Sequence, residues 1–293
     1  MLTHRLISAA VSAAFAEDAP WGDLTAHHVL APHDTATAHL VAREAGVFAG
    51  GEVVTEAFSQ VDPRIVVELS VADGGRFTAG DRIATITGPA RGIVTGERVA
   101  LNFVQRMSGI ATLTARYADA VVGTRARIVD TRKTTPGLRA FEKHAVECGG
   151  GRNHRFGLSD AVMLKDNHLA VLTNGGDDVA TALRRLRDRL GHTVHIEVEV
   201  DRLEQIAAVL DGGVDTIMLD NFDLDDLAAG VELIAGRAIV EASGGVNLET
   251  VAAIAATGVD VISVGALTHS VHSIDLGLDV EIETTPVVNP ERR

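Results

Sequence analysis

The chain has 293 residues, 46% of them hydrophobic, and a formal net charge of −14. That apolar content suits one large core, or one large and one small, and excludes disordered and fibrous classes. So negative a chain is a poor nucleic-acid binder, because counterion release needs a broad positive face.

The elements, in chain order, begin with a segment that mimics a secretory leader: Arg5, an apolar run from Leu6, then Ala-Phe-Ala ending at Ala16. Its apolar residues Leu6, Ile7, Ala10, Val11, Ala14 and Phe15 instead recur at helical spacing, with Ser8 and Ser12 opposite and Thr3 as a cap. The spacing predicts an amphipathic docking helix, stopped by Pro20. Residues 36–48 and 65–87 alternate apolar and polar side chains in short runs, which are strand signals. Ile65, Val67, Leu69 and Val71 share one face, and Gly74-Gly75 and Gly80-Asp81 mark turns. Segment 72–88 has the outline of a biotinyl or lipoyl carrier hairpin but no lysine at its turn, so a structural hairpin in a small sheet domain is preferred. Thr95–Val122 reads as a long helix joining two domains, with Val99, Phe103, Met107, Ile110, Leu113 and Tyr117 on one face. No apolar run approaches the roughly 20 residues that span a bilayer, and no membrane partner is expected. The single cysteine, Cys148, fits a reducing, cytoplasmic compartment.

The second half is periodic. Strands at about 127–130, 161–164, 194–200, 215–219, 238–242 and 260–264 alternate with helices at 176–190, 202–210, 223–236 and 247–257. This is a β/α barrel pattern with six clear strands, so closure with eight is not shown. The strand ends carry Asp130, Lys165, Glu197 with Glu199, Asp220, Glu241 with Ser243, and Gly265. In barrels those ends form the active face. In Val194–Val200 the aliphatic residues face one way and His195, Glu197 and Glu199 the other. The carboxylates must then point into the barrel, where charge needs cationic or metal partners.

All three lysines, Lys133, Lys143 and Lys165, fall in one segment that also holds Arg132, Arg139, Arg152 and Arg155. Sparing lysine only there suggests a need for compact ammonium groups beside an anionic small molecule. Ala242-Ser-Gly-Gly-Val246 and Val264-Gly-Ala-Leu267 offer backbone amides at consecutive late strand ends, the usual barrel position for a phosphate, although plain turns would look alike. Glu197 and Asp220 end adjacent strands and could hold Mg2+ with substrate phosphates; the alternative is a barrel-floor salt bridge to Lys165 or an arginine. His195-Ile-Glu197 imitates half of a zinc deaminase signature, but Pro-Cys-x-x-Cys is missing and zinc is rejected. No P-loop occurs. Glu97 and Arg98, taken alone, read as an exposed helical turn with a solvated arginine.

The runs Gly96-Glu-Arg-Val-Ala-Leu-Asn102, Ser108-Gly-Ile-Ala-Thr112, Asp130-Thr-Arg-Lys-Thr-Thr-Pro-Gly-Leu-Arg139, Gly149-Gly-Gly-Arg-Asn-His-Arg155, Leu164-Lys-Asp-Asn-His168, Glu197-Val-Glu199, Leu219-Asp-Asn-Phe222, Glu241-Ala-Ser-Gly-Gly245 and Val264-Gly-Ala-Leu-Thr-His269 resemble the quinolinate phosphoribosyltransferases, in order and over nearly the whole chain. His144, where tyrosine is expected, and Ala242, where serine is common, depart from that pattern. The resemblance implies an α/β fold: an N-terminal sandwich domain and an incomplete, open β/α barrel. The expected division is residues 1–107 and 108–269, with the tail 270–293 packed on the first.

It also implies conversion of quinolinate and 5-phosphoribosyl 1-pyrophosphate to nicotinate mononucleotide, pyrophosphate and CO2 in de novo NAD biosynthesis. The implied assembly is a homodimer, or a higher oligomer, in which Arg98 is supplied across the interface. Arg132, His154, Arg155 and Lys165 would bind the two quinolinate carboxylates, and Lys133 the phosphoribosyl donor. Glu197 and Asp220 would take the ribose hydroxyls and Mg2+, and Ser243, Gly244, Gly245 and Gly265 the 5-phosphate. Lys165, Glu197 and Asp220 would be the catalytic residues; Lys143 has no assigned role. The residues' chemistry agrees, because a dianionic pyridine and a polyphosphate share a cavity only with surplus fixed cations. Competing readings are a same-fold paralogue acting on another anionic heterocycle or in molybdate metabolism, a Schiff-base aldolase barrel using Lys165, and a non-catalytic anion sensor.

Overall fold

The computed structural model describes residues 2–284, which form two compact units. The first takes the chain up to Thr112, Ala140–Gly149 and the stretch from Val271; the second takes Leu113–Arg139 and Gly150–Ser270. The expected tail beyond residue 284 lies outside the described residues.

In the first unit, α1 (His4–Asp18) starts where the Thr3 hydroxyl accepts the Leu6 N–H. It buries Ile7 and Val11 completely, at about 1.5–3 kcal/mol each. Ser12 is exposed, as a position opposite the apolar face should be, while Ser8 is half-buried, and both bond to Gln60. Asp23 caps α2 (Leu24–Val29) by accepting the Ala26 N–H. The short runs read as strand signals over 36–48 form β1 (Thr35–Ala42) and β2 (Gly46–Val47). There follow α3 (Gly51–Val61), β3 (Val66–Leu69), β4 (Arg76–Phe77) and β5 (Arg82–Pro89). The four-stranded antiparallel sheet runs in the order C-terminal strand Leu276–Glu283, β1, β5, β3. Ala36, Ala38, Leu40 and Ala42 line its buried face, as period two requires.

The apolar face expected from Ile65 to Val71 buries only Ile65, since β3 is an edge strand and Leu69 stays exposed. The long helix α4 (Ala90–Ala120) begins five residues earlier than its periodicity suggests. Gly92 and Gly96 inside it are packing sites, because a Cβ would strike Ile65 and the Phe58 ring. Gly109 is tighter still: a Cβ there would lie 2.2 Å from the His272 carbonyl oxygen.

The second unit holds six parallel strands: β6 (Arg127–Val129), β7 (Ala161–Leu164), β8 (His195–Val200), β9 (Thr216–Asp220), β10 (Ile239–Ser243) and β11 (Val261–Ser263). Their order is β6-β11-β10-β9-β8-β7, the cyclic order of a barrel left open between β6 and β7. The segment after β6 forms α5 (Arg139–Cys148), of which Ala140–Cys148 belong to the first unit. The other strands are followed by α6 (Asp166–Thr173), α7 (Val179–Asp188), α8 (Ile206–Asp211), α9 (Leu224–Ile234), α10 (Val251–Ala256) and α11 (Ala266–His269). Ile196, Val198 and Val200 are buried on the outward face of β8, and Glu197 is buried on the inward one.

Candidate active site

The carboxyl edge of the parallel sheet collects most of the residues expected to carry chemistry. Asp130 follows β6 and is fully buried; its Oδ1 accepts the His154 N–H at 2.9 Å, which ties residues 152–155 to that strand end. Arg152 also forms a parallel bridge to Val129. Lys165 caps β7 and precedes α6, and its half-exposed ammonium pairs with Glu199 on β8 at 2.5 Å. Arg155 donates to the Ala161 carbonyl at 3.0 Å. Burial and the neighbouring Arg132 cation hold Arg155 below the ordinary arginine range. Arg132 and Lys133 are exposed, and Arg139 braces their loop by donating to Thr134 Oγ1 and to the Phe156 and Arg132 carbonyls.

Lys133 lies across the last strand ends. The Thr268 hydroxyl donates to its carbonyl at 2.7 Å, and a Cβ on Gly265 would meet its Cδ at 3.3 Å. Ser243 sits level with Asp220 in the β9–β10 register, and the Asn221 N–H returns to the Ser243 carbonyl. Gly244 and Gly245 both have positive φ, 89° and 62°. A Cβ on Gly244 would lie 2.1 Å from Asn221 Oδ1, so only glycine fits this close turn. Successive amides in such a conformation make a concavity suited to a phosphate.

Glu197 is not where the sequence places it. It pairs in register with Thr216, four residues before Asp220, which is roughly 13 Å along the strand. The expectation that Glu197 and Asp220 jointly hold Mg2+ is therefore corrected: the two carboxylates stand at different depths. The alternative salt bridge to Lys165 is also not made, since Glu199 takes that partner. Glu199 is level with Met218, only two residues below Asp220. Asp220 itself accepts from Asn221 Nδ2 at 2.7 Å.

Glu197 instead belongs to a buried cluster with His154 and Glu241. His154 Nε2 lies 3.1 Å from Glu197 and 3.5 Å from Glu241. Burial opposes charge on the imidazole, but the hydrogen bonds to Glu197 and Glu241 outweigh it and raise its pKa to about 10. The Arg155 N–H, 2.8 Å from Nδ1, pulls the other way, because an imidazolium has no lone pair there. Burial pushes the Glu241 carboxyl up, against the hydrogen bond from His154. One oxygen of each glutamate is buried without a hydrogen-bond partner. An imidazole with two carboxylates suits Zn2+ better than Mg2+, which favours oxygen and water.

Arg98 is exposed on α4 in the first unit, apart in sequence and unit from the other residues. Motif reading missed Glu241 as the partner of His154, Glu199 as the partner of Lys165, and His269, whose ring faces Gly265. Alternation did place Glu199 inward, and the strand-end reading did mark Glu241, and those were the available signals.

Comparison with known proteins covers nearly the whole chain. The model of the quinolinate phosphoribosyl transferase N-terminal domain matches residues 23–108, and that of the C-terminal domain matches residues 110–279. A nicotinate-nucleotide pyrophosphorylase (carboxylating) of Mycobacterium leprae is 44% identical over 272 residues, 90% of this chain and 93% of that protein. A Bacillus subtilis relative is 41% identical over 286 residues, covering 98% and 97%. The crystal structure of NadC from Streptococcus pyogenes, 40% identical, superposes with a TM-score of 0.91 over 98% of this chain and 99% of that one. With both domains matched in order and identity above 40% over nearly its whole length, this chain belongs to the quinolinate phosphoribosyl transferase family.

Proposed function

We propose that this chain joins quinolinate to 5-phosphoribosyl 1-pyrophosphate, yielding nicotinate mononucleotide, pyrophosphate and CO2 for NAD biosynthesis. The observation that carries the reading is the pairing, on one sheet edge, of a cation set with a double-glycine turn. Arg132, Lys133, Arg155 and Lys165 stand on the β6 and β7 side, and Ser243, Gly244, Gly245 and Gly265 end β10 and β11. The cations take the two carboxylates and the diphosphate; the turn takes the 5-phosphate through backbone amides.

Lys165 enters the reaction by exchanging Glu199 for a substrate carboxylate. Glu199 is then released to face positive charge as it develops at the anomeric carbon, together with Asp220. His154, held by Glu197 and Glu241, presents a fixed ring beside Arg155. The carboxylate next to the ring nitrogen leaves as CO2, its electron pair staying on that ring carbon beside the positively charged N-ribosylated nitrogen, and a proton from water then completes the C–H bond of the product. Mg2+ belongs to this reading as the companion of the donor's diphosphate, and no residue pair is assigned to hold it. A Schiff-base role for Lys165 is disfavoured, because such a lysine needs desolvation and this one is half exposed and ion-paired.

A cytoplasmic homodimer completes the proposal. Among the described residues no helix is long and apolar enough to cross a membrane. Trp21, Leu24 and Val29 stand exposed in near succession, which supports an interface there.

The test is formation of nicotinate mononucleotide from quinolinate, donor and Mg2+. Lys165→Ala is expected to lower kcat/KM roughly 10²–10³-fold, the range for removing one preorganised charge partner, with little change in Tm. No turnover of quinolinate by the wild-type chain would leave the fold intact but defeat the reading, and a paralogous heterocycle would be sought instead. Mixing Arg98→Ala and Lys165→Ala chains should restore activity in heterodimers if Arg98 is shared; no recovery would argue for sites complete in one chain.

A further inference from the structure

We propose that Asp73, His144 and Cys148 form a binding site for a thiophilic divalent cation of the Zn2+ class, separate from the phosphoribosyl chemistry. All three residues belong to the first unit. His144 Nε2 lies 2.6 Å from Asp73 Oδ2 and 3.4 Å from Cys148 Sγ, and the three ligand atoms fall within 4.8 Å of one another. The same ring nitrogen faces both partners. A catalytic relay would place thiol and carboxylate on opposite nitrogens, so convergence on one point is the geometry of a ligand set.

The set is held from both sides. Asp73 Oδ1 accepts the Gly50 and Gly51 N–H groups at 2.9 Å each, which fixes the carboxylate and leaves Oδ2 to the site. His144 and Cys148 stand one turn apart on α5, the spacing at which a helix presents two ligands to one ion. The adjoining turn packs closely on the end of α5, since a Cβ on Gly74 would lie 3.2 Å from the Cys148 carbonyl oxygen. His144 and Asp73 keep 29% and 28% of their side chains exposed, which leaves an entry path and a place for water as fourth ligand.

Metal–ligand bonds of about 2.0–2.3 Å put tetrahedral ligands roughly 3.3–3.8 Å apart. The nitrogen–sulfur distance already meets this, and the nitrogen–oxygen distance must widen by a side-chain rotation. A thiolate with an imidazole selects Zn2+ over Mg2+ or Ca2+.

The experiment is titration of the full chain with Co2+ in Mg2+-free buffer, followed by Zn2+. A sulfur-to-cobalt charge-transfer band saturating at one ion per chain, erased by Zn2+ and absent in Cys148→Ser, is expected. Equilibrium dialysis of Zn2+ should show binding weakened at least about tenfold in His144→Gln and in Asp73→Asn. The His154 cluster holds no sulfur and cannot produce that band. Absence of the band in the wild-type chain, or Zn2+ affinity unchanged in all three variants while far-ultraviolet circular dichroism shows them folded, would overturn the proposal.

Discussion

His144 and His154 each hold an imidazole against carboxylate groups, one in each unit, and burial separates what they do. His154 lies against Glu197 and Glu241, both 3% exposed, where an unpaired charge is expensive. His144 lies against Asp73 at a half-open surface, with its pKa raised to about 10 by Asp73 and then Cys148 against the cost of burial. Burial works to raise Asp73, but its bonds to His144, Gly51 and Gly50 hold it below the usual carboxylate range. The same pairing becomes a rigid support when water is excluded and an exchangeable site when water has access.

The contrast breaks first at the buried cluster. Glu197→Ala removes one partner from a desolvated group and is expected to cost about 3–5 kcal/mol of stability, read from urea unfolding, with activity reduced in the folded fraction. A loss under about 1 kcal/mol would mean that water reaches His154. Next comes Gly244→Ala, which forces a Cβ onto Asn221 at positive φ; about 1–3 kcal/mol and a raised KM for the phosphoribosyl donor are expected.

His144→Gln sharpens the other side. The folded pKa of about 10 exceeds the ordinary 6.5, so the stabilisation is complete below about pH 6.5 and disappears as pH rises through about 10. The stability gap between wild type and variant should be about 1 kcal/mol in acid, given the partial exposure, and close near pH 10. A gap that widened with pH would contradict the imidazolium–carboxylate pair. Smallest is Glu199→Gln, expected to cost less than about 1 kcal/mol in melting experiments, because its Lys165 partner is half exposed; its effect should fall on kcat.

Much of the site was legible along the chain. Alternation in Val194–Val200 put Glu197 and Glu199 inside the barrel, and the strand-end rule gathered Asp130, Lys165, Asp220, Ser243 and Gly265 on one edge. Depth was not legible. Period two assigns a face, but only the pairing of β8 with β9 places Glu197 opposite Thr216 and leaves Glu199 nearest to Asp220. Partners distant in sequence were equally hidden: Glu241 stands 87 positions from His154 in chain numbering, and Asp73 71 from His144.

By itself, then, the sequence determined the β/α alternation, the inward carboxylates, the cation-rich strand ends and the family, because these reside in local periodicity and in contiguous motifs. Tertiary structure decided which carboxylate meets which cation, that Ala140–Cys148 of the helix after β6 belong with the first unit, and that a lone cysteine gains an aspartate and a histidine. Strand register and the packing of distant segments set those contacts, and neither is written in the order of neighbouring residues.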